Sequence, residues 1–414
     1  MLQIKRIDWI AGLLLSLAAG GAWSQAPLTL ERAFEAAWAR QPEAQSFDAV
    51  QAAARARRES ADDWLAELPA LEVAGKTDRF DGNHGSREYE IGIAMPIWLP
   101  GERGGMAGLA AAELSAGESR SHAARLRTAA EVREAYWAWQ RAVVEAELGR
   151  KRLDSARELA ADVARRVKAG ELARADQHQA DGAVAAAEAA AAEADSAQAE
   201  AIRQLRALTG ITPTLDAGHM PQPEAYPGLA AADGMAEASH PVVAELRDKA
   251  EVARRAMQLA NIQGRANPEL SLTTTRERGA AGEDWEQTVT LAVSIPFGGG
   301  SRHRARVAEA NAAAIEAEAQ LLIERERVLA DLDLAQVRVA SARTQLTAAE
   351  RRARLAGESR GFFQNAFRLG EADLPTRLRI ELEADEAERQ LARARIDLAA
   401  AISTLRQALG LLPR

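Results

Sequence analysis

The feature that most limits what this chain can fold into is an internal repeat. Shifted by about 200 residues, the sequence falls on itself over nearly its whole length. Pro42 meets Pro241, Pro69 meets Pro268, and Ile91, Ile93 and Pro96 meet Leu291, Val293 and Pro296. Gly170-Glu171 meets Gly370-Glu371, residues 201–210 meet 401–410, and Pro213 meets Pro413. One register that aligns prolines, glycines and apolar positions together marks a tandem duplication of a single structural unit.

Each unit reads the same way. A helix comes first, over 28–65 in one half and 234–264 in the other. Two segments of period-two alternation follow, the mark of strands with one apolar and one polar face. Leu71, Val73, Tyr89, Ile91, Ile93 and Met95 form the apolar set of the first half. Leu270, Leu272, Trp285, Val289, Leu291, Val293 and Ile295 form that of the second. The loops 78–87 and 277–284 are polar and contain glycine, as hairpins require.

Beyond the turns at Pro96, Pro100-Gly101, Pro296 and Gly298-Gly299-Gly300, no proline interrupts 101–212 or 301–374. Alanine, Leu, Val and Ile recur there at helical spacing, with Glu and Arg between. Each stretch breaks at a Gly-Glu pair, read as the tip of a helical hairpin. The helix before each tip covers about 70 residues, roughly 100 Å at 1.5 Å per residue. The returning helix is only about 40 residues, so the next helix must stack end to end with it beside the long one. The Pro- and Gly-rich segment between them then forms a collar.

Composition fits a rod better than a globule. Of 414 residues 47% are hydrophobic but only 4% aromatic, with much of the apolar fraction alanine, which suits closely packed long helices. There is no cysteine, excluding disulfides, thiolate metal sites, a Cys nucleophile and an N-terminal lipid-bearing Cys. A net charge of −8 argues against nucleic acid as a partner. Residues 1–24 read as a signal peptide: Lys5 and Arg6 precede an apolar run of roughly 14 residues, too short to span a bilayer as a helix. Cleavage is placed after Ser24; a retained anchor is the alternative. An exported chain without helical spans is periplasmic, secreted or a membrane β-barrel.

Four strands cannot close a barrel, and open edges in lipid leave backbone groups unsatisfied. Three chains would give about twelve strands and a wide pore. Trp98 and Trp285, with Tyr89 as a further candidate, lie where aromatic belts form. The competing reading is a small soluble sheet capping a coiled coil.

With the duplication, two hairpins, long helices and Gly-Glu tips in view, the chain resembles the TolC family of outer-membrane efflux channels. The segment 366–374, Ala-Phe-Arg-Leu-Gly-Glu-Ala-Asp-Leu, is similar to the tip of the family's heavy-metal branch, partners of cation-exporting resistance–nodulation–division (RND) pumps. The resemblance implies a mainly α fold with a membrane β-barrel contribution: a homotrimer with a twelve-stranded barrel in the outer membrane of a Gram-negative bacterium. Below the barrel, a helical tunnel would cross the periplasm to a periplasmic adaptor (membrane fusion) protein and an inner-membrane RND pump. The implied divisions are helix 25–68, hairpin 69–97, helical hairpin 98–210, equatorial segment 211–235, helix 236–266, hairpin 267–297 and helical hairpin 298–414.

Gly170, Glu171, Leu172, Leu369, Gly370, Glu371 and Leu374 are the candidate adaptor contacts; the plainer reading is that the glycines end helices. Asp176 and Asp373 are candidate pore-gate carboxylates, since three copies around an axis would attract cations; solvated helix carboxylates are the alternative. Pro375, just beyond, leaves the position of the tip open. The histidines show no ligand spacing, and His219-Met220 with Asp216 and Glu224 offers at most a weak metal site in the collar. Metalloprotease, nucleophile-elbow and P-loop motifs are absent. Gly298-Gly299-Gly300 has no glycine-rich counterpart at Pro100-Gly101-Glu102, so it reads as a turn rather than a phosphate loop. Glu131, Glu134 and the Glu–Arg pairs read as solvated or intersubunit surface. No cofactor and no catalytic residue is expected. The function expected is an exit duct for heavy-metal cations, with drug efflux or type I protein secretion as the alternative cargo, and a pore-less periplasmic scaffold as the alternative class.

Overall fold

The computed structural model describes residues 28–213, 223–227, 239–298 and 300–414. The signal-peptide reading and the His219, Met220 and Asp216 candidates lie outside the described residues.

The first described helix is α1 (Leu30–Trp38), capped by Thr29, whose hydroxyl accepts the Arg32 N–H at 3.2 Å. The single helix expected over 28–65 is instead two. Pro42 has no N–H to continue the ladder and forces the residue before it out of the helical region. Gln41 accordingly sits at ψ 138°, and α2 (Pro42–Asp62) starts afresh with proline in its first turn. After β1 (Ala70–Thr77) and β2 (Arg87–Pro96) come α3 (Glu102–Ala169), 68 residues long, and its return α4 (Arg174–Thr209). The second repeat supplies α5 (Pro241–Ile262), β3 (Glu269–Arg278), β4 (Glu286–Ser294), α6 (Gly300–Leu369) of 70 residues and α7 (Leu374–Ala408). None of the described helices is long and apolar enough to cross a membrane, which says nothing of a β-barrel.

The long helices lie side by side. α2 and α5 flank the upper part of α3, while α4 and α7 flank its lower part. α6 packs on α5 and α7. Alanines line the seams: Ala123, Ala129, Ala146 and Ala387 have no exposure at all, so backbones approach as closely as a methyl group allows. The aromatics gather where α1 meets the bundle, with Phe34, Tyr136, Trp137 and Trp139 around Leu205 and Ile396.

The two hairpins form one antiparallel sheet in the order β1-β2-β3-β4, so β2–β3 pairing joins the repeats. Register puts Val73, Ile91, Thr274 and Val289 in one row and Leu71, Ile93, Leu272 and Leu291 in the next. Gly92 sits on the opposite face, where an added Cβ would meet Thr273 Oγ1 at 2.7 Å. Gly92 and Ala94 are buried while Tyr89, Ile91 and Ile93 are exposed, so the sheet is concave on its polar side. At the far end the two loops touch. Gly85, at φ +91°, admits the Ala281 backbone so closely that a Cβ would lie 2.6 Å from its nitrogen.

Candidate functional site: sheet faces, hairpin tips and collar

Alternation and register sort the strand charges by face. On the concave side lie Glu72, Glu88, Glu90, Glu269, Glu277 and Glu286, with Lys76 the one strand cation, paired to Glu88 at 2.8 Å. Arg87, Arg276 and Arg278 all fall on the convex side, at the end away from the helices. The convex side between is Leu71, Val73, Ile91, Ile93, Met95, Leu270, Leu272, Val289, Leu291 and Val293. Aromatics mark both borders of this apolar band. Tyr89 and Trp285 stack at 5.8 Å at the far border. Exposed Trp64 and Phe297 lie at the near one, where Trp98 Nε1 donates to the Asp63 carbonyl at 3.0 Å.

The tips repeat one geometry. Gly170 and Gly370 take φ +81° and +77°, a conformation costly for any residue with a Cβ. The N–H groups of Glu171 and Glu371 reach back to the carbonyls of Arg166 and Ala366, each at 2.9 Å, closing the ends of α3 and α6. Open space surrounds both glycines, so backbone conformation rather than packing selects them. The two carboxylate candidates solve one capping problem in different ways. Asp373 is the N-cap of α7 and accepts the Thr376 N–H at 3.0 Å, while Asp176, three residues into the matching turn of α4, accepts the Ala173 N–H at 3.0 Å. Hydrogen bonds from Thr376 hold the Asp373 carboxyl below its ordinary range, so it is ionised at neutral pH. Pro375 occupies the first turn of α7, which fixes the tip at Gly370 to Asp373.

Of the proposed contact residues, Glu171, Glu371 and Leu369 face solvent, Leu369 at 74% exposure. Leu374 does not. It is 1% exposed and packs with Leu159, Val163, Ala180 and Phe367 in a core that fastens the two tips together, with Leu172 at its edge. Phe367 is the residue sequence reasoning passed over. Arg166 and Arg377 lie over its ring at 4.9 and 4.8 Å, and Arg166 Nη1 donates to its carbonyl at 3.1 Å. Burial pulls the Arg377 pKa down from the usual guanidinium range. The signal available was scarcity: only 7 phenylalanines occur in the chain.

At the collar, Glu224 is engaged by arginines. Its carboxylate is clamped by Arg133, at 3.0 Å (Nε) and 2.8 Å (Nη2), and by Arg406 Nε at 3.0 Å. All three are nearly sealed from solvent. Spare guanidinium N–H groups donate to Gln407 Oε1 and to the carbonyls of Leu411, Leu412 and Ala225. One carboxylate between two arginines thus pins the segment 223–227 to α3 and α7. Among the described residues no group of three or more His, Asp or Glu side chains could hold a metal ion.

A hairpin sheet continuous with paired long helices is the architecture of outer-membrane channels. CusC, whose crystal structures concern folding and transmembrane channel formation, superposes with a TM-score of 0.75 at 16% identity, covering 99% of each chain. The CmeC outer membrane channel of Campylobacter jejuni gives 0.74 at 14% identity, over 99% of this chain and 94% of that one. The outer membrane protein VceC of Vibrio cholerae gives 0.74 at 18%, over 93% and 97%. At these identities the likeness is one of fold. No curated protein matches by sequence. The family described as outer membrane efflux protein matches residues 33–211. That match spans less than half of the chain; over the whole chain the likeness is to the TolC-type fold of these channels.

Proposed function

We propose that the chain is one third of a trimeric exit duct in the outer membrane that passes cations delivered through a periplasmic adaptor from an inner-membrane pump. The observation that carries the assembly is a stripe on α6. Ile315, Leu322 and Leu329 are seven apart, as are Leu355, Phe362 and Leu369. At about 100° per residue these six and Val337 fall within roughly 80° of the helix circumference. All seven are exposed, from 43% for Leu329 to 74% for Leu369. A seven-residue apolar repeat is a coiled-coil seam, and here it has no partner among the described residues. The repeat names the partner. α3 is covered by α2 and α4 of its own repeat and by α5 and α7 of the next. α6 has only α5 and α7 of its own repeat, and lacks the flanking pair of a following repeat, which α2 and α4 of a second copy of the chain would supply. The same step would pair the open edges of β4 and β1, and three chains would close twelve strands.

The cation cargo is supported by the concave face, where six glutamates outweigh one lysine in each chain. Such a lining favours cations in passage without binding them tightly. The resemblance of segment 366–374 to the heavy-metal branch points the same way. Cationic organic compounds would pass by the same electrostatics, so drug efflux remains the second reading. At the closed end, Glu171, Glu371 and Leu369 with the Gly170 and Gly370 turns offer the adaptor its surface, and Asp176 and Asp373 repeat around the axis as candidate gate carboxylates.

The test is conductance of the purified protein in planar bilayers. The expected result is a channel whose reversal potential under a salt gradient reports cation preference, weakened when Glu90 and Glu277 are changed to Gln. A protein that never conducts, yet runs as a folded rod, would establish the scaffold reading instead. Sensitivity of a deletion strain to metal salts, against sensitivity to dyes and detergents, separates the cargoes.

A further inference from the structure

The convex face carries two unneutralised cations at one border only. Arg276 and Arg278 place their Cζ atoms 5.2 and 5.0 Å from the centre of the same Trp285 ring, beside the stacked Tyr89. Neither guanidinium forms an ion pair among the described residues. Arg278 donates Nε to the Gly85 carbonyl at 3.1 Å, and most of the remaining N–H donors of the pair stay open. Two carboxylates of the adjoining loops are engaged elsewhere, Asp78 with Arg87 at 2.8 Å and Glu283 with the Ala280 N–H at 2.9 Å. The strand glutamates lie on the opposite face. At the other border Trp98 and Phe297 have no guanidinium over them.

Two planar forks fixed by one indole, at the edge of a lipid-facing apolar band, match a phosphate oxyanion in charge and in bidentate geometry. We infer that Arg276 and Arg278 bind the phosphate of an anionic lipid in the outer leaflet, with Trp285 and Tyr89 as the platform that holds both guanidiniums at headgroup depth. The inference rests on the membrane reading above and adds to it a lipid-specific site on each chain. The hydrophobic band sets where the barrel sits. The arginine pair would set which lipid borders it, and would fix the barrel's depth and rotation against the outer surface.

The test uses the full chain in detergent, followed by native mass spectrometry during titration with lipid A, with dephosphorylated lipid A, and with inorganic phosphate. Lipid A is expected to stay bound, and Arg276→Gln/Arg278→Gln to bind it roughly 30-fold more weakly, about fivefold for each guanidinium lost. Arg278→Gln alone should show the fivefold step and guards against misfolding of the double variant. Lys76→Gln, at similar height on the concave face, should bind as the parent does. Equal retention of lipid A by parent and double variant overturns the site. So does equal binding of the dephosphorylated lipid, or capture of inorganic phosphate at comparable affinity. Channel conductance of the double variant should be unchanged, because both arginines face away from the lumen. A parent protein that forms no channel overturns the membrane reading beneath the inference instead.

Discussion

α3 and α6 are the same helix made twice, yet they live in different surroundings. Both run about 70 residues and end at the same Gly-Glu turn. α3 buries Val132, Arg133, Tyr136, Trp137 and Trp139, whereas α6 at the matching height offers Asp333 and Val337 to solvent. The difference follows from position. A helix with neighbours on both flanks can hold indoles and a buried ion cluster, while α6, with one flank open, carries the exposed seam that the proposed second copy would cover. Duplication supplied equal lengths, and the later divergence of side chains records which seam is closed by the chain itself.

That comparison can be broken most forcefully on α6. Leu322→Glu/Val337→Glu places two charges in the open seam; the expected result is loss of the trimer in light scattering, with helical circular dichroism of the single chain retained. A trimer that survives both charges would mean that the seam is not an interface. Next in size is Glu224→Ala, which leaves Arg133 and Arg406 buried without their carboxylate and should cost about 3–5 kcal/mol in denaturant unfolding. In the single chain freed by the seam charges, Asp333→Ala, on the α6 counterpart of the Arg133 position, should change stability by no more than about 0.5 kcal/mol. Equal costs for the two would show that the flanks of α3 and α6 are not distinct. At the tips, Asp373→Ala should speed amide exchange in the first turn of α7, where Thr376 loses its acceptor, and leave α4 unaffected. The smallest effect expected is one of pH. Burial of His240 lowers its pKa below the usual imidazole range. The unfolded chain therefore takes up the proton first. The stabilising contribution is fully present above about pH 6.5 and is lost as the pH falls below it. His240→Gln should flatten that acid limb in thermal melts between pH 7 and 5.

Much of this fold is legible in the chain because its signals are local. Period-two alternation at Tyr89, Ile91 and Ile93, the Gly-Glu pairs, and the proline-free stretches each declare an element within a dozen residues. Pro42 was legible too, but it was useful first as a register mark, and its power to break α1 from α2 shows only when the missing N–H is counted. The collar is a different matter. Arg133 and Glu224 lie 91 residues apart, and Glu224 and Arg406 lie 182 apart. Nothing in the spacing of Glu224 distinguishes a clamped carboxylate from a solvated one. Leu374 was read as surface for the same reason: which side of a first helical turn faces inward depends on Phe367, which arrives from another helix. The charge sorting of the strands needed only the β2–β3 register, since alternation alone fixes face within each strand and not which strand adjoins which.

The β2–β3 pairing also dictates a sequence of events. Arg87 bonds opposite Arg278, so this ladder closes a loop of nearly two hundred residues, whereas each helical hairpin closes through a turn of a few. Loop closure on that scale is entropically costly while the intervening chain is free, and nearly costless once α3 and α4 have folded back and returned the chain to its starting height. Helical hairpins should therefore form first and deliver the strands to one another. The part of the protein proposed to meet lipid is then the last part it can build, and its exposed apolar face comes into being only after a long rod is there to carry it.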